Sequence, residues 1–186
     1  MAFAQRILLA IALLMLGACR SEPIQFHTLT PTQPGSAPTR DIEVEIEGIN
    51  VPPQVDRQQI VVRQSNSSLA ILETHWWGAT LADELSSALA QQLPTSSAAR
   101  KVLLRLEVQR FESLPGQYAL LDTKWRLRSQ SPGNGAALHC RSTLRSAAGV
   151  NIDDIVIAHQ NNLKNLALEI SQAAGNAGGR CPPKHL

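Results

Sequence analysis

Apolar and polar residues alternate strictly along several parts of the chain. Residues 41–52 read DIEVEIEGINVP, in which Ile42, Val44 and Ile46 alternate with glutamates ahead of a proline pair. A period of two is typical of a strand with one buried and one solvated face, and proline ends such a strand. The shorter runs RQQIVVRQ (57–64) and SSLAILE (67–73) predict two further strands around an Asn-Ser-Ser turn.

The period changes to that of a helix after residue 79. Leucines recur every four residues at 81, 85, 89 and 93 until Pro94, and Thr80 with Asp83 three residues on has the spacing of a capping box. A second helix is predicted to begin at Asp153-Asp154 and to run to about Ala174, with Gly175 as its stop. Its inward positions are predicted to be Ile155, Leu163, Leu166 and Ile170.

Three longer strands are predicted between the two helices. Their sequences are KVLLRLEVQRFESL (101–114), QYALLDTKWRLRSQ (117–130) and GAALHCRSTLRSAA (135–148), with a glycine- and proline-containing turn at 131–135. The element order is therefore three strands, a helix, three strands and a helix. This order predicts an α/β (α+β) fold, with one mixed, largely antiparallel sheet of about six strands and two packed helices.

Residues 19–41 have a different composition. They contain four prolines and little apolar periodicity, which favours a semi-extended tether, although IQFHTL (24–29) could pair as an edge strand. We therefore expect a tether over residues 19–41 and a single domain over residues 42–186.

The amino terminus carries a basic residue, Arg6, followed by an apolar run from Ile7 to Leu16 and then by Gly17-Ala18-Cys19. The run is shorter than the roughly 20 residues that a membrane-spanning helix needs, and it fits a secretory signal peptide. Leu16 to Cys19 resembles the bacterial lipobox, so we expect a signal peptide over residues 1–18 and acyl chains, palmitate among them, on Cys19. The alternatives are an ordinary signal peptide or a buried apolar helix with an incidental cysteine.

Lipid on Cys19 would fix the location of the protein. Several acyl chains hold a protein on a bilayer far more firmly than one chain does, so the chain would lie anchored without crossing the membrane. The residue after the cysteine is Arg20, whereas the common signal for retention in the inner membrane is an aspartate there. We therefore expect an outer-membrane protein that faces the periplasm.

Charge and cysteine content limit the remaining possibilities. The 186 residues include 17 basic and 15 acidic side chains, so no charge excess favours a nucleic-acid partner. Two cysteines remain besides Cys19, and in an oxidising periplasm Cys140 and Cys181 are expected to form a disulfide. Two separate thiols remain the alternative, because a sequence does not show whether two residues are close in space.

The motifs of catalysis and metal binding are missing from the sequence. The five histidines are scattered, and there is no G-x-S-x-G, phosphate loop or dinucleotide fingerprint. We therefore predict no catalytic residue, no metal and no cofactor. The most distinctive segment is ETHWWGATLADEL (73–85), because Trp76 and Trp77 point to opposite faces if extended. One would be buried and the other would anchor a partner protein, unless the helix and sheet cover both.

Several of these segments together resemble the PqiC/YmbA family, which are ABC-type transport auxiliary lipoproteins. The resemblance rests on the lipobox and on three segments: FHTL (26–29), where the family has an aromatic-rich Y-Y-x-L, GINVPPQVDRQQIVVR (48–63) and HWWGATLADEL (75–85). The chain departs from the family at His27, where a tyrosine is usual, and at Gly78-Ala79-Thr80 after the tryptophans.

This resemblance implies a function without enzyme activity. It implies an accessory lipoprotein of an MCE-type system that moves lipids between membranes and supports envelope integrity. The implied partner is an MCE-domain tunnel protein of the PqiB kind, with Trp76 and Trp77 as candidate contacts. A symmetric tunnel would also favour a homo-oligomeric ring of the lipoprotein. The alternative is a lipoprotein that regulates a cell-wall synthase by activating a penicillin-binding protein.

Overall fold

The computed structural model describes residues 5, 22–32, 42–95, 100–130, 137–175 and 180–183. Within these ranges the chain forms seven strands and two helices, which confirms the predicted α+β class. The elements are β1 (Gln25–His27), β2 (Ile42–Asn50), β3 (Gln59–Arg63), β4 (Leu69–Trp77), α1 (Leu81–Ala90), β5 (Arg100–Leu114), β6 (Tyr118–Ser129), β7 (Leu138–Ala147) and α2 (Ile152–Gly175).

The strands form two sheets, so the prediction of a single sheet was wrong in this respect. One sheet has the order β2-β5-β6-β7 and the other has the order β1-β4-β3. Pro52 and Pro53 end β2 because proline donates no ladder hydrogen bond, and the carbonyl of Pro52 accepts from the N–H groups of Val55 and Asp56 at 3.0 and 3.1 Å. This turn separates β3 from the first sheet, and β3 pairs with β4 instead.

The last three strands, β5, β6 and β7, form an antiparallel meander, which agrees with the prediction of a largely antiparallel sheet. β5 pairs with β6 from Val102↔Ser129 to Leu114↔Tyr118, and β6 pairs with β7 from Tyr118↔Ala147 to Leu127↔Leu138. The tight β5–β6 turn contains Gly116 at φ 75°, a conformation that glycine adopts without steric cost. The predicted turn at 131–135 lies outside the described residues.

The core lies between the four-stranded sheet and the two helices. The inward positions of β5 are all buried. The leucines of α1 at 81, 85 and 89 are fully buried, and Leu93, just after the helix, is 1% exposed. The predicted inward residues of α2 are fully buried. Thr80 caps α1, because its hydroxyl oxygen accepts from the N–H of Asp83 at 3.3 Å and its O–H donates to the Asp83 carboxylate at 2.8 Å.

The short strand β1 joins the domain ahead of β2. It pairs in parallel with the end of β4, which confirms the possibility of an edge strand at 24–29. Leu29 is fully buried, and one carboxylate oxygen of Glu84 accepts from the Thr28 hydroxyl and from the Leu29 N–H, both at 2.8 Å. Residues 25–29 of the expected tether are therefore packed into the fold.

Candidate functional site

The two adjacent tryptophans of β4 have different environments. Trp77 is 2% exposed and packs edge-on against Phe111, with ring centroids 6.2 Å apart. Because it belongs to the core, Trp77 cannot serve as the predicted surface contact. Trp76 is half-buried and its indole N–H donates to the carbonyl of Glu73 at 3.0 Å. With this polar group satisfied, the rest of the indole presents apolar surface.

Trp76 forms an exposed apolar cluster with residues at β1. Phe26 is its direct partner in the parallel pairing, and the two rings meet edge to face at 6.4 Å between centroids. Phe26 is 67% exposed, and Ile24, two residues earlier, is 46% exposed. We call Ile24, Phe26 and Trp76 the aromatic patch. Clustered exposed apolar side chains often mark a binding surface.

Two histidines and an aspartate lie beside the aromatic patch. His27 of β1 has its Nε2 3.0 Å from Nδ1 of His75 in β4, and the two rings stack with centroids 5.2 Å apart. The other ring nitrogen of His27 lies 3.3 Å from a carboxylate oxygen of Asp153, at the start of α2. This chain of contacts fastens β1 both to its sheet and to the helix.

Burial holds the pKa of His27 below its usual value of 6.5. Asp153 opposes this shift by favouring the charged imidazole, and His75 adds to it. A neutral His27 that donates from Nδ1 to Asp153 accepts at Nε2 from the Nδ1–H of His75. In the part of the chain that the structure describes, no three His, Cys, Asp or Glu side chains are arranged to hold a metal ion.

One serine–histidine pair has the contact expected of a nucleophile and its base. The Ser113 hydroxyl lies 3.0 Å from Nε2 of His159. Both side chains are buried, at 2% and 0% exposure, and the His159 ring stacks on Phe111 with centroids 3.8 Å apart. A substrate cannot reach this pair in the folded domain, so we read it as part of the core.

Two of the three cysteines lie in the described part of the chain. Cys140 of β7 and Cys181 of the tail are joined by a disulfide, with their Cα atoms 5.5 Å apart. Cys19 lies outside the described residues. Among the helices that are described, none is long and apolar enough to cross a membrane.

Sequence reasoning missed the contacts made by Phe26, His27 and His75. Phe26 lies within the FHTL segment that carried the resemblance, so an aromatic preference there was a usable signal. The pairing of β1 with β4 joins residues that are 50 positions apart in the sequence, so it has no local signal.

Comparison with known families identifies the fold. The sequence profile described as "ABC-type transport auxiliary lipoprotein component" matches residues 27–171, from β1 to the last third of α2. The chain belongs to this family. Membership in the ABC-type transport auxiliary lipoproteins confirms the predicted resemblance, and it means that the domain belongs to a lipoprotein that assists a transport system. No curated protein matches the chain.

Two crystal structures share the fold of this auxiliary lipoprotein. One is of an uncharacterized protein, with a TM-score of 0.64 and 16% identity over 81% of this chain and 98% of the other. The second is of protein XCC0632 from Xanthomonas campestris, with a TM-score of 0.59 and 17% identity over 84% of this chain and 97% of the other. At these identities the likeness concerns the fold alone.

Proposed function

We propose that this protein is a non-enzymatic accessory component of an MCE-type system that moves lipids between membranes. It is anchored in the outer membrane through Cys19 and faces the periplasm. The observation that carries the proposal is the family match, which spans most of the folded domain. The lipobox at Leu16–Cys19 supports the lipid anchor, and Arg20 in place of an aspartate supports the outer membrane.

The anchor would hold the domain close to the membrane. β1 begins at Gln25, six residues after Cys19, and six extended residues span at most about 20 Å. If β1 stays docked, only residues 20–24 separate Cys19 from the folded domain, instead of the expected tether over residues 19–41. The aromatic patch begins at Ile24, so a partner bound there would reach the domain beside the outer membrane.

The aromatic patch is the surface that we propose for the partner. The rings of Phe26 and Trp76 are rigid and apolar, and the indole N–H of Trp76 already has a hydrogen-bond partner. Burial of this surface against another protein is therefore favourable, because it leaves no donor without a partner. The proposed partner is the MCE-domain tunnel protein. Since a tunnel with rotational symmetry presents repeated equal sites, several copies of the lipoprotein would bind it as a ring.

Replacing Trp76 tests the contact. A buried tryptophan anchor typically contributes about 2 kcal/mol or more, so Trp76→Ala should weaken binding of the lipoprotein to the MCE-domain protein by about thirtyfold. Binding is measured with both proteins purified in a neutral detergent. The matched control is Ile157→Ala, which removes an exposed apolar side chain of α2 that is 54% exposed. The control should bind like the unchanged protein.

Two results would count against these proposals in different ways. If a folded Trp76→Ala variant bound the MCE-domain protein as tightly as the unchanged protein, Trp76 would not be a contact, but the proposed role in the MCE-type system would not be contradicted. The rival function, regulation of a cell-wall synthase, predicts that a penicillin-binding protein and no MCE-domain protein associates with the unchanged chain.

A further inference from the structure

The solvent face of the four-stranded sheet carries a regular array of charged side chains. The pairing register places Arg105, Arg126 and His139 side by side across β5, β6 and β7. Two residues along each strand, a second row consists of Glu107, Lys124 and Arg141. Because alternate residues of a strand point to the same face, the two rows are neighbours and form one patch. We call these six residues the cationic array.

Two pairs in the cationic array place like charges directly opposite each other. Arg105 faces Arg126, and Lys124 faces Arg141. Opposed side chains on neighbouring strands are about 5 Å apart at their Cβ atoms, and like charges at that separation destabilise a sheet. The fold itself gains nothing from these two pairings. Proteins often retain destabilising pairings of this kind at functional sites, and a surface that binds a ligand of opposite charge is such a site.

Neighbouring carboxylates neutralise only part of the array. Arg141 donates to both oxygens of Asp122, at 2.7 and 2.9 Å, and Arg126 lies 3.5 Å from Glu47. Arg105 and Lys124 have no ion pair within 4.0 Å among the described residues, and both are exposed. Glu107 opposite Lys124 and Glu47 near Arg105 attract these cations without forming an ion pair, so both side chains can still turn toward an incoming anion.

The array lines a concave trough. The trough has a volume of about 580 Å³, and the carboxyl-terminal tail contributes Cys181 and Pro182 to its lining. The disulfide to Cys140 of β7 holds this part of the tail against the sheet. Among the described lining residues the acidic side chain is Glu107, whereas four lysine or arginine side chains line the trough. Because Arg126 and Arg141 are already paired with carboxylates outside this lining, the positive charge open to an anion comes from Arg105 and Lys124.

We propose that this trough binds the phosphate of an anionic phospholipid headgroup. Arginine offers a planar set of donors that matches phosphate, and lysine supplies a mobile point charge beside it. The volume exceeds what a single phosphate ion needs, which leaves room for the glycerol part of a headgroup. The choice of a lipid over free phosphate rests on the proposed function, because a membrane-anchored transport component meets phospholipids at high local concentration.

Titration of the purified lipidated protein in a neutral detergent tests the proposal. The probes are dihexanoyl-phosphatidylglycerol, dihexanoyl-phosphatidylcholine and inorganic phosphate, and calorimetry measures the binding. We expect the anionic lipid to bind at least tenfold more tightly than either other probe, and its affinity to fall as salt rises. The double change Arg105→Gln with Lys124→Gln should weaken this binding at least tenfold, since charge-assisted contacts are lost.

Two controls separate recognition from folding. Lys164→Gln changes an exposed cation of α2 and should leave binding unchanged. The double variant without ligand should melt at about the same temperature as the unchanged protein, because it loses two like-charge pairings together with the opposite-charge pairing of Lys124 with Glu107. A lower melting temperature would assign the two cations a structural role and overturn the proposal.

Three binding results would also overturn the proposal that the trough binds an anionic headgroup. Equal affinity for the phosphatidylcholine probe would remove the role of the negative charge, and equal affinity for inorganic phosphate would remove the role of the lipid. Undiminished binding by the double variant would place any lipid site elsewhere. None of these results depends on the MCE-domain partner, so a failure of the lipid site would leave the proposed function untested and unchanged.

Discussion

A fall in pH should destabilise the domain through one buried histidine. His159 of α2 is fully buried, and among the described residues its Nδ1 has no hydrogen-bond partner. Its Nε2 contacts the Ser113 hydroxyl at 3.0 Å. Burial lowers the pKa of His159 from 6.5 to about 3, because the apolar surroundings disfavour the charged imidazole.

The sign and size of the effect follow from this pKa. The unfolded chain takes up a proton near pH 6.5 while the folded chain does not, so the contribution to stability is complete above pH 6.5 and is lost as the pH falls toward 3. Each pH unit in this window costs about 1.4 kcal/mol. Between pH 7.5 and pH 4.5 the free energy of unfolding should therefore fall by about 3 kcal/mol on account of His159 alone.

The assay is urea unfolding of the purified protein, followed by tryptophan fluorescence at pH 7.5, 6.5, 5.5 and 4.5. The variant His159→Leu cannot take up a proton there, so its free energy of unfolding should lose about 3 kcal/mol less than that of the unchanged protein across this range. The variant Ile157→Ala removes an exposed side chain of the same helix that carries no titratable group, so its free energy of unfolding should depend on pH as that of the unchanged protein does. An equal dependence of the free energy of unfolding on pH in His159→Leu and in the unchanged protein would show that His159 does not cause the loss of stability.

Three further predictions concern the anchor, the tail and the core. Metabolic labelling with a tagged palmitate should mark the unchanged protein and not Cys19→Ser, and equal labelling would contradict the lipid anchor. The mass of the non-reduced mature protein should be two hydrogens below that of the reduced protein, whereas free alkylation of Cys140 and Cys181 in native material would contradict the disulfide. Leu85→Ala, at a fully buried position of α1, should lower the free energy of unfolding by about 2–5 kcal/mol in a urea titration, and a loss below 1 kcal/mol would be inconsistent with the packing.

The local patterns in the sequence were sufficient to predict most elements of the fold. The leucine repeat of α1 and the alternation in β5 are periodic signals that depend only on which face is buried, and both are confirmed. The division into two sheets was not predictable in the same way. It depends on the parallel pairings of β1 with β4 and of β2 with β5, which join distant segments.

The candidate site was also predictable only where a local pattern in the sequence determined it. The adjacent tryptophans already indicated that one side chain would face away from the other, but the sequence did not say that Trp77 would be the buried one. A register shift between β3 and β4, with the pairing passing from Gln59↔Trp76 to Val61↔Ile71, lies along this part of β4. The cationic array was also hidden, because Arg105, Lys124 and Arg141 come together only through the register of three strands.

The most direct test of the central claim is to ask what the anchored protein binds in its own envelope. The full-length lipoprotein, tagged at its carboxyl terminus, is captured from membranes dissolved in a neutral detergent, and the associated proteins are identified by mass spectrometry. Cys19→Ser serves as the unanchored control. We expect an MCE-domain protein to be captured with the unchanged chain and to be depleted with the control. Capture of a penicillin-binding protein without any MCE-domain protein would contradict the proposed function.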